Sequence, residues 1–192
     1  HALHCHDILH LDVKPENILF DSGDSSARIK ITDFGLSKVV PRQEQLSQLS
    51  TFSMPLLLEK LDVFLETGQL HKERLRGTIG YMSPELILTG HCSTGNDVFA
   101  AGVVLHILLS GRPPFHSQAN REVLEMTARG DLCLSGGEWE EISADAKDLV
   151  GRMLATDPLQ RIGTEGIMKH PWLQGLDLPS KDHSTYSSPA DA

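Results

Sequence analysis

Apolar residues recur at helical spacing behind Asp97, at Val98, Ala101, Gly102, Leu105, Leu108 and Leu109, and the near absence of charge there predicts a helix buried on most sides. A second stripe, Ala146, Leu149, Val150, Met153 and Leu154, follows Ser143 as a plausible N-cap, with Asp145 in the first turn. Weaker helical patterns cover 121–129, ending at Gly130, and 164–169. Nearer the start the pattern is strand-like: 17–20 and 28–31 are short apolar runs around the turn-forming Asp21-Ser22-Gly23-Asp24, which predicts a hairpin. Pro55 to Thr67 sets Leu57, Leu61, Phe64 and Leu65 on one helical face, with Ser53 and Gly68 as start and stop signals. Beyond Gly175 the chain turns polar, rich in Ser, Asp and Pro, and reads as a tail or linker.

Composition narrows the class. The 192 residues, 40% hydrophobic and 22% charged, suffice for one domain with a sizeable core. A net charge of −9 argues against a nucleic-acid surface and favours cationic partners. Cys5, Cys92 and Cys133 are scattered and odd in number, so a reducing compartment, cytoplasm or nucleus, is expected in place of a disulfide framework. No membrane span is expected, since the apolar run Val103–Leu109 is short and interrupted by His106.

The chemistry is concentrated in His10-Leu11-Asp12-Val13-Lys14-Pro15-Glu16-Asn17 and, after the predicted hairpin, Asp33-Phe34-Gly35. In residue type, order and spacing these resemble the catalytic loop and metal-binding triplet of the protein kinases. Phosphoryl transfer needs positioning and charge neutralisation, and the nucleotide phosphates carry a hard cation that prefers oxygen donors. Asn17 and Asp33 supply those donors for Mg²⁺. Asp12 is a carboxylate placed to orient and deprotonate a hydroxyl, and Lys14 offers a point charge to phosphate. The hairpin is expected to bring the two carboxylates to one edge.

The resemblance continues along the chain. Gly77-Thr78-Ile79-Gly80-Tyr81-Met82-Ser83-Pro84-Glu85 is similar to the end of a kinase activation segment, with Ser83 in place of the usual Ala. Asn96-Asp97-Val98-Phe99 resembles the head of the central helix, with Phe99 for the usual Trp; Ser110 to Phe115, Asp157-Pro158 with Arg161, and His170-Pro171-Trp172 complete the order. The implied fold is protein-kinase-like (α+β), represented by its mainly α-helical C-terminal lobe over 1–173, with an activation segment at 33–85 and a tail at 174–192. These 192 residues hold no Gly-rich loop, strand Lys, helix Glu or hinge, so the β-rich N-terminal lobe is expected as a missing partner.

Lys14 implies a serine/threonine kinase, and the catalytic loop with its downstream motifs is most similar to the calcium/calmodulin-dependent group. The resemblance implies ATP and Mg²⁺ as cofactors, with Lys14, Glu16, Asn17 and Asp33 on the nucleotide–metal side. It implies a protein substrate with a basic side chain read by Glu16, and Thr78 beside Asp12 and Lys14. His10, Phe34 and Gly35 would be structural members of the motifs, Glu85 and Arg161 a buried pair, and Asp97 a holder of the loop backbone. Taken alone, Asp97 would be a helix-start carboxylate favourable to the dipole.

Two departures sharpen this picture. Leu11 replaces the Arg that pairs with a phosphate on the activation loop, so control is expected from an inhibitory segment or a calmodulin-like partner. The segment between Gly35 and Gly77 is long, with an insertion at about 43–69 that is either an amphipathic docking helix or a loosely ordered loop. His1, His4, Cys5 and His6 are metal-ligand types, but so closely spaced that they suit no closed tetrahedral zinc site. Two functions from different classes stand: part of an active kinase, in which these residues alone do not bind Mg-ATP tightly, or a non-catalytic kinase-like binding or scaffold fragment.

Overall fold

The computed structural model describes residues 1–24, 27–45, 54–67 and 76–174. Four short strands, β1 (Ile8–Leu9), β2 (Ile18–Phe20), β3 (Ile29–Ile31) and β4 (Lys38–Val39), lie near the amino-terminal end. Seven helices follow: α1 (Met54–Thr67), α2 (Pro84–Thr89), α3 (Thr94–Ser110), α4 (Asn120–Arg129), α5 (Ala144–Met153), α6 (Thr164–Met168) and α7 (Pro171–Gln174). Residues 42–45 are also helical. This helix-rich body with few strands has the character of a kinase C-terminal lobe, as expected. Ser53, Gly68 and the polar tail beyond Gly175 lie outside the described residues.

The predicted hairpin forms. β2 and β3 pair antiparallel with Ile18 opposite Ile31 and Phe20 opposite Ile29, and the Asp21 carboxylate closes the turn by accepting the Arg28 N–H at 2.7 Å. Asn17, expected to head the first strand, lies instead in a 3-10 turn, Pro15–Asn17. Pro15 presets φ for that turn, and the Asn17 N–H closes it on Lys14 O at 3.0 Å. The β1–β4 pair, Ile8 with Val39 and Leu9 with Lys38, brackets the whole stretch between them.

α3 is the axis of the core. Ser93 caps it: its hydroxyl accepts the Gly95 N–H, and Asn96 returns a bond to the Ser93 N–H at 2.6 Å. Gly111, at φ 74°, ends it in the left-handed conformation that costs glycine nothing. Val98, Phe99, Val103 and Val104 are buried, so the helix is enclosed on most sides. Leu108 departs from the expected stripe, being 76% exposed on the outer side of a last turn whose His106 and Ser110 are buried. At Gly102 α5 comes so close that a Cβ would sit 2.9 Å from Met153 Cβ. α5 begins at the predicted cap, with Ser143 Oγ accepting the Ala146 N–H at 3.2 Å, and α4 ends at Gly130 as predicted.

Within the long insertion the amphipathic pattern is realised as α1. Its buried face, Leu57, Leu61 and Phe64, packs on α2 and α4 in one apolar cluster with Leu86 and Leu124. Burying each such side chain is worth about 1.5–3 kcal/mol, enough to fix a helix whose outer face is exposed.

Candidate active site

The loop ahead of Asp12 is held by α3. Asp97, at the head of that helix, accepts the His10 N–H on Oδ2 at 2.8 Å and the Leu11 N–H on Oδ1 at 2.7 Å. His4 donates from Nε2 to the same Oδ2 at 2.9 Å, while His6 turns away to Ala2 O. These bonds make Asp97 a clamp on the loop backbone rather than only a dipole partner. Between them Leu11 takes φ 64°, a left-handed conformation unusual for a bulky residue, with its side chain buried. His10 is fully buried; its Nδ1 accepts the Asp12 N–H at 3.3 Å, so Nε2 carries the proton it donates to Thr32 O at 2.9 Å. That second bond ties the loop to the strand leading into Asp33. The Phe34 ring meets His10 edge-on at 5.0 Å.

Asp12 lies where its own loop meets the segment carrying Thr78. Lys14 Nζ donates to Asp12 Oδ2 at 2.8 Å and to Thr78 Oγ1 at 2.8 Å, while Thr78 Oγ1 donates to Asp12 Oδ1 at 2.7 Å. Asn17 Nδ2 spans Asp12 O at 2.8 Å and Oδ2 at 3.3 Å. Burial pushes the Asp12 carboxyl up, but the bonds from Lys14 and Thr78 and the Lys14 charge outweigh it and hold the group below its ordinary value. The Lys14 ammonium is correspondingly raised, chiefly by its bond to Asp12 and also by attraction to Glu16 and Asp33. Asp12 is therefore an ionised, oriented acceptor, and Lys14 a retained cation.

Asp33 is exposed beside this triangle at φ 61°, with Oδ1 accepting the Gly35 N–H at 3.1 Å. Since the Asn17 amide nitrogen is committed to Asp12, its carbonyl oxygen is the end offered elsewhere, alongside the second Asp33 oxygen. An amide oxygen and a carboxylate are the donor types a hard divalent cation takes when phosphates and water complete its shell. Among the described residues no three His, Cys, Asp or Glu side chains form an all-protein metal cage. Glu16 is exposed on the same loop, and its charge acts on both Lys14 and Tyr81.

Farther in, Glu85 and Arg161 form a bidentate pair, Nη1 to Oε1 at 2.7 Å and Nη2 to Oε2 at 2.9 Å, with side chains 0% and 1% exposed. Burial raises the Glu85 carboxyl, yet Arg161 prevails and holds it low. Arg161 also donates to Gly95 O and Ala155 O and covers the Phe99 ring, 5.0 Å from its centroid. Asn96 completes the network, donating to Glu85 Oε1 at 2.9 Å and to Ser83 Oγ at 2.6 Å. The contributions of Asn96, Ser83, Thr32 and His4 went unread in the sequence. Ser83 stood out there only as a departure from Ala, and Thr32 acts through its carbonyl, on which side-chain identity has no bearing.

Residues 1–173 match the family model of the protein kinase domain, so the chain belongs to the protein kinase family. Its relatives include proteins named as calcium and calcium/calmodulin-dependent serine/threonine-protein kinases and calcium-dependent protein kinases. It is 37% identical over 174 residues, 91% of the chain, to a calcium and calcium/calmodulin-dependent serine/threonine-protein kinase of Oryza sativa subsp. japonica. It is 36% identical over 174 residues to the protein of that name in Lilium longiflorum, again over 91% of the chain. It is 37% identical over 172 residues, 88% of the chain, to calcium-dependent protein kinase 33 of Arabidopsis thaliana. The chain spans 29%, 28% and 28% of the lengths of these three relatives.

Proposed function

We propose that this chain supplies the phosphate-acceptor half of a serine/threonine protein kinase, working with a nucleotide-binding lobe packed across Asp33 and the β2–β3 hairpin. The Lys14–Asp12–Thr78 triangle carries this reading, because it joins an ionised carboxylate, a cation and a hydroxyl within hydrogen-bond reach at a site flanked by metal-type donors. Bound Mg-ATP would supply the transferable phosphoryl group and the cation that neutralises its oxygens. Asn17 and Asp33 would hold that cation. Asp12 orients the substrate hydroxyl and receives its proton. A carboxylate of lowered pKa is a weak base, so proton transfer comes late, as the oxygen–phosphorus bond forms. Lys14 steadies the transferred phosphate while keeping Asp12 ionised, and Thr78 fixes the rotamer of both. Exposed Glu16 reads a basic side chain on the substrate. Leu11 lies buried where a guanidinium would be needed to read a loop phosphate, which supports release by a regulatory segment or calmodulin-like partner.

The test is Asp12→Asn in the full-length polypeptide carrying this chain, assayed with Mg-ATP and a basic Ser/Thr peptide. Loss of the positioned carboxylate should lower kcat by about 10²–10⁴-fold with the fold intact. Equal, measurable rates in variant and parent would remove Asp12 from the chemistry, and a parent that phosphorylates nothing would leave a binding module in place of an enzyme.

A further inference from the structure

One apolar cluster joins parts of the chain far apart in sequence: Leu11 beside Asp12, Val40 at the start of the activation segment, Phe64 of α1, Met82 at the segment's end, Leu86 of α2 and Leu124 of α4. Two observations link that cluster to the site. Gly77 rests on the Asp12 loop so closely that a Cβ there would lie 2.9 Å from Leu11 O and 3.2 Å from Met82 Cγ. Leu11 itself holds φ 64°, a conformation that persists only where its surroundings over-determine it. α1 reaches this region through α2, on which its buried face lies, and Arg121 of α4 fastens it by donating from Nη2 to Leu65 O at 2.9 Å.

We propose that α1 is a built-in brace, which holds the end of the activation segment against the Asp12 loop by apolar packing, where other kinases use charge pairing with an added phosphate. This rests on the kinase reading above. Thr78 must sit within reach of Asp12 and Lys14, and nothing covalent near it enforces that position. The turn that presents it closes with the Tyr81 N–H on Thr78 O at 3.0 Å, and the next residue, Met82, enters the cluster. With no cation at position 11, the stability of this turn depends on the packing beneath it. Phe64 and Leu61 are therefore positioning residues for Thr78, acting through α2 and Met82.

Hydrogen exchange and kinetics on the full-length polypeptide test this together. Phe64→Ala should raise exchange over residues 76–84 by about tenfold or more, with α3 and α5 keeping their protection. The same variant should lower kcat/KM for peptide by a similar factor while KM for ATP moves less than about twofold. Phe64→Leu should restore both, and Leu58→Ala, on the exposed outer face of α1, should change neither. Unchanged exchange at 76–84 in Phe64→Ala would overturn the brace. So would equal loss of protection in α3 and α5, which would make α1 merely a piece of the general core. A parent protein that phosphorylates nothing yet shows the local exchange pattern would sink the kinase reading and leave the brace standing.

Discussion

Arg161→Met removes the cation from a carboxylate with no access to water. In the native protein Glu85 receives both arms of the guanidinium at 2.7 and 2.9 Å and a third bond from Asn96 at 2.9 Å. Removing one partner of a fully buried pair costs about 3–5 kcal/mol, because the remaining charge keeps its desolvation penalty without compensation. For a domain of this size that lowers Tm by about 6–20 °C. The pH dependence separates this cause from loss of packing. In the native protein Glu85 is held below its ordinary value of 4.5, so its stabilisation is fully present above pH 4.5 and is lost as pH falls through the folded pKa. Without Arg161, burial is opposed only by the hydrogen bonds Glu85 keeps, as from Asn96 and Ser83, and raises it above 4.5; the folded variant then binds a proton more readily than its unfolded chain and gains stability as pH falls. The gap between the two proteins should be widest near neutrality and close in acid. Urea denaturation at about pH 7 and pH 4, with Glu85→Gln and the double variant completing a cycle, measures it. A gap below about 1 kcal/mol at neutral pH, or one independent of pH, would refute the reasoning.

Gly102→Ala places a methyl 2.9 Å from Met153 Cβ and 3.0 Å from Leu154 Cδ2, so α3 and α5 must separate, costing about 1–3 kcal/mol in chemical denaturation. Replacing Ser47, Ser50, Thr51 and Ser53 together by Ala should leave the full-length kinase within about twofold of its parent rate, because buried Leu11 has no charge with which to pair a loop phosphate. A drop of tenfold or more in the peptide assay would show that some other cation reads such a phosphate.

The residues by themselves determined the local elements and the family resemblance. Asp12, Lys14, Asn17 and Asp33 were legible as a group because their types, order and spacing match the kinase motifs. The hairpin, α3, α4 and α5 were legible because their periods, turn residues and caps act within a few positions of one another. The two-residue strands β1 and β4 were not, since a pair so short has no period of its own. The rest depends on tertiary structure. Thr78 reaches Asp12 across 66 positions and Arg161 reaches Glu85 across 76; the resemblance implied both contacts, but such closures depend on how helices pack rather than on local preference. The same holds for Leu108, which shares the helical stripe but finds no neighbour, and for α1, whose amphipathic face did not say what it would cover. Asp97 is the clearest case. Its place in the first turn of a helix accounts for a favourable dipole contact, and only folding brings the His10 and Leu11 amides to its two oxygens, converting a first-turn carboxylate into the support of the site.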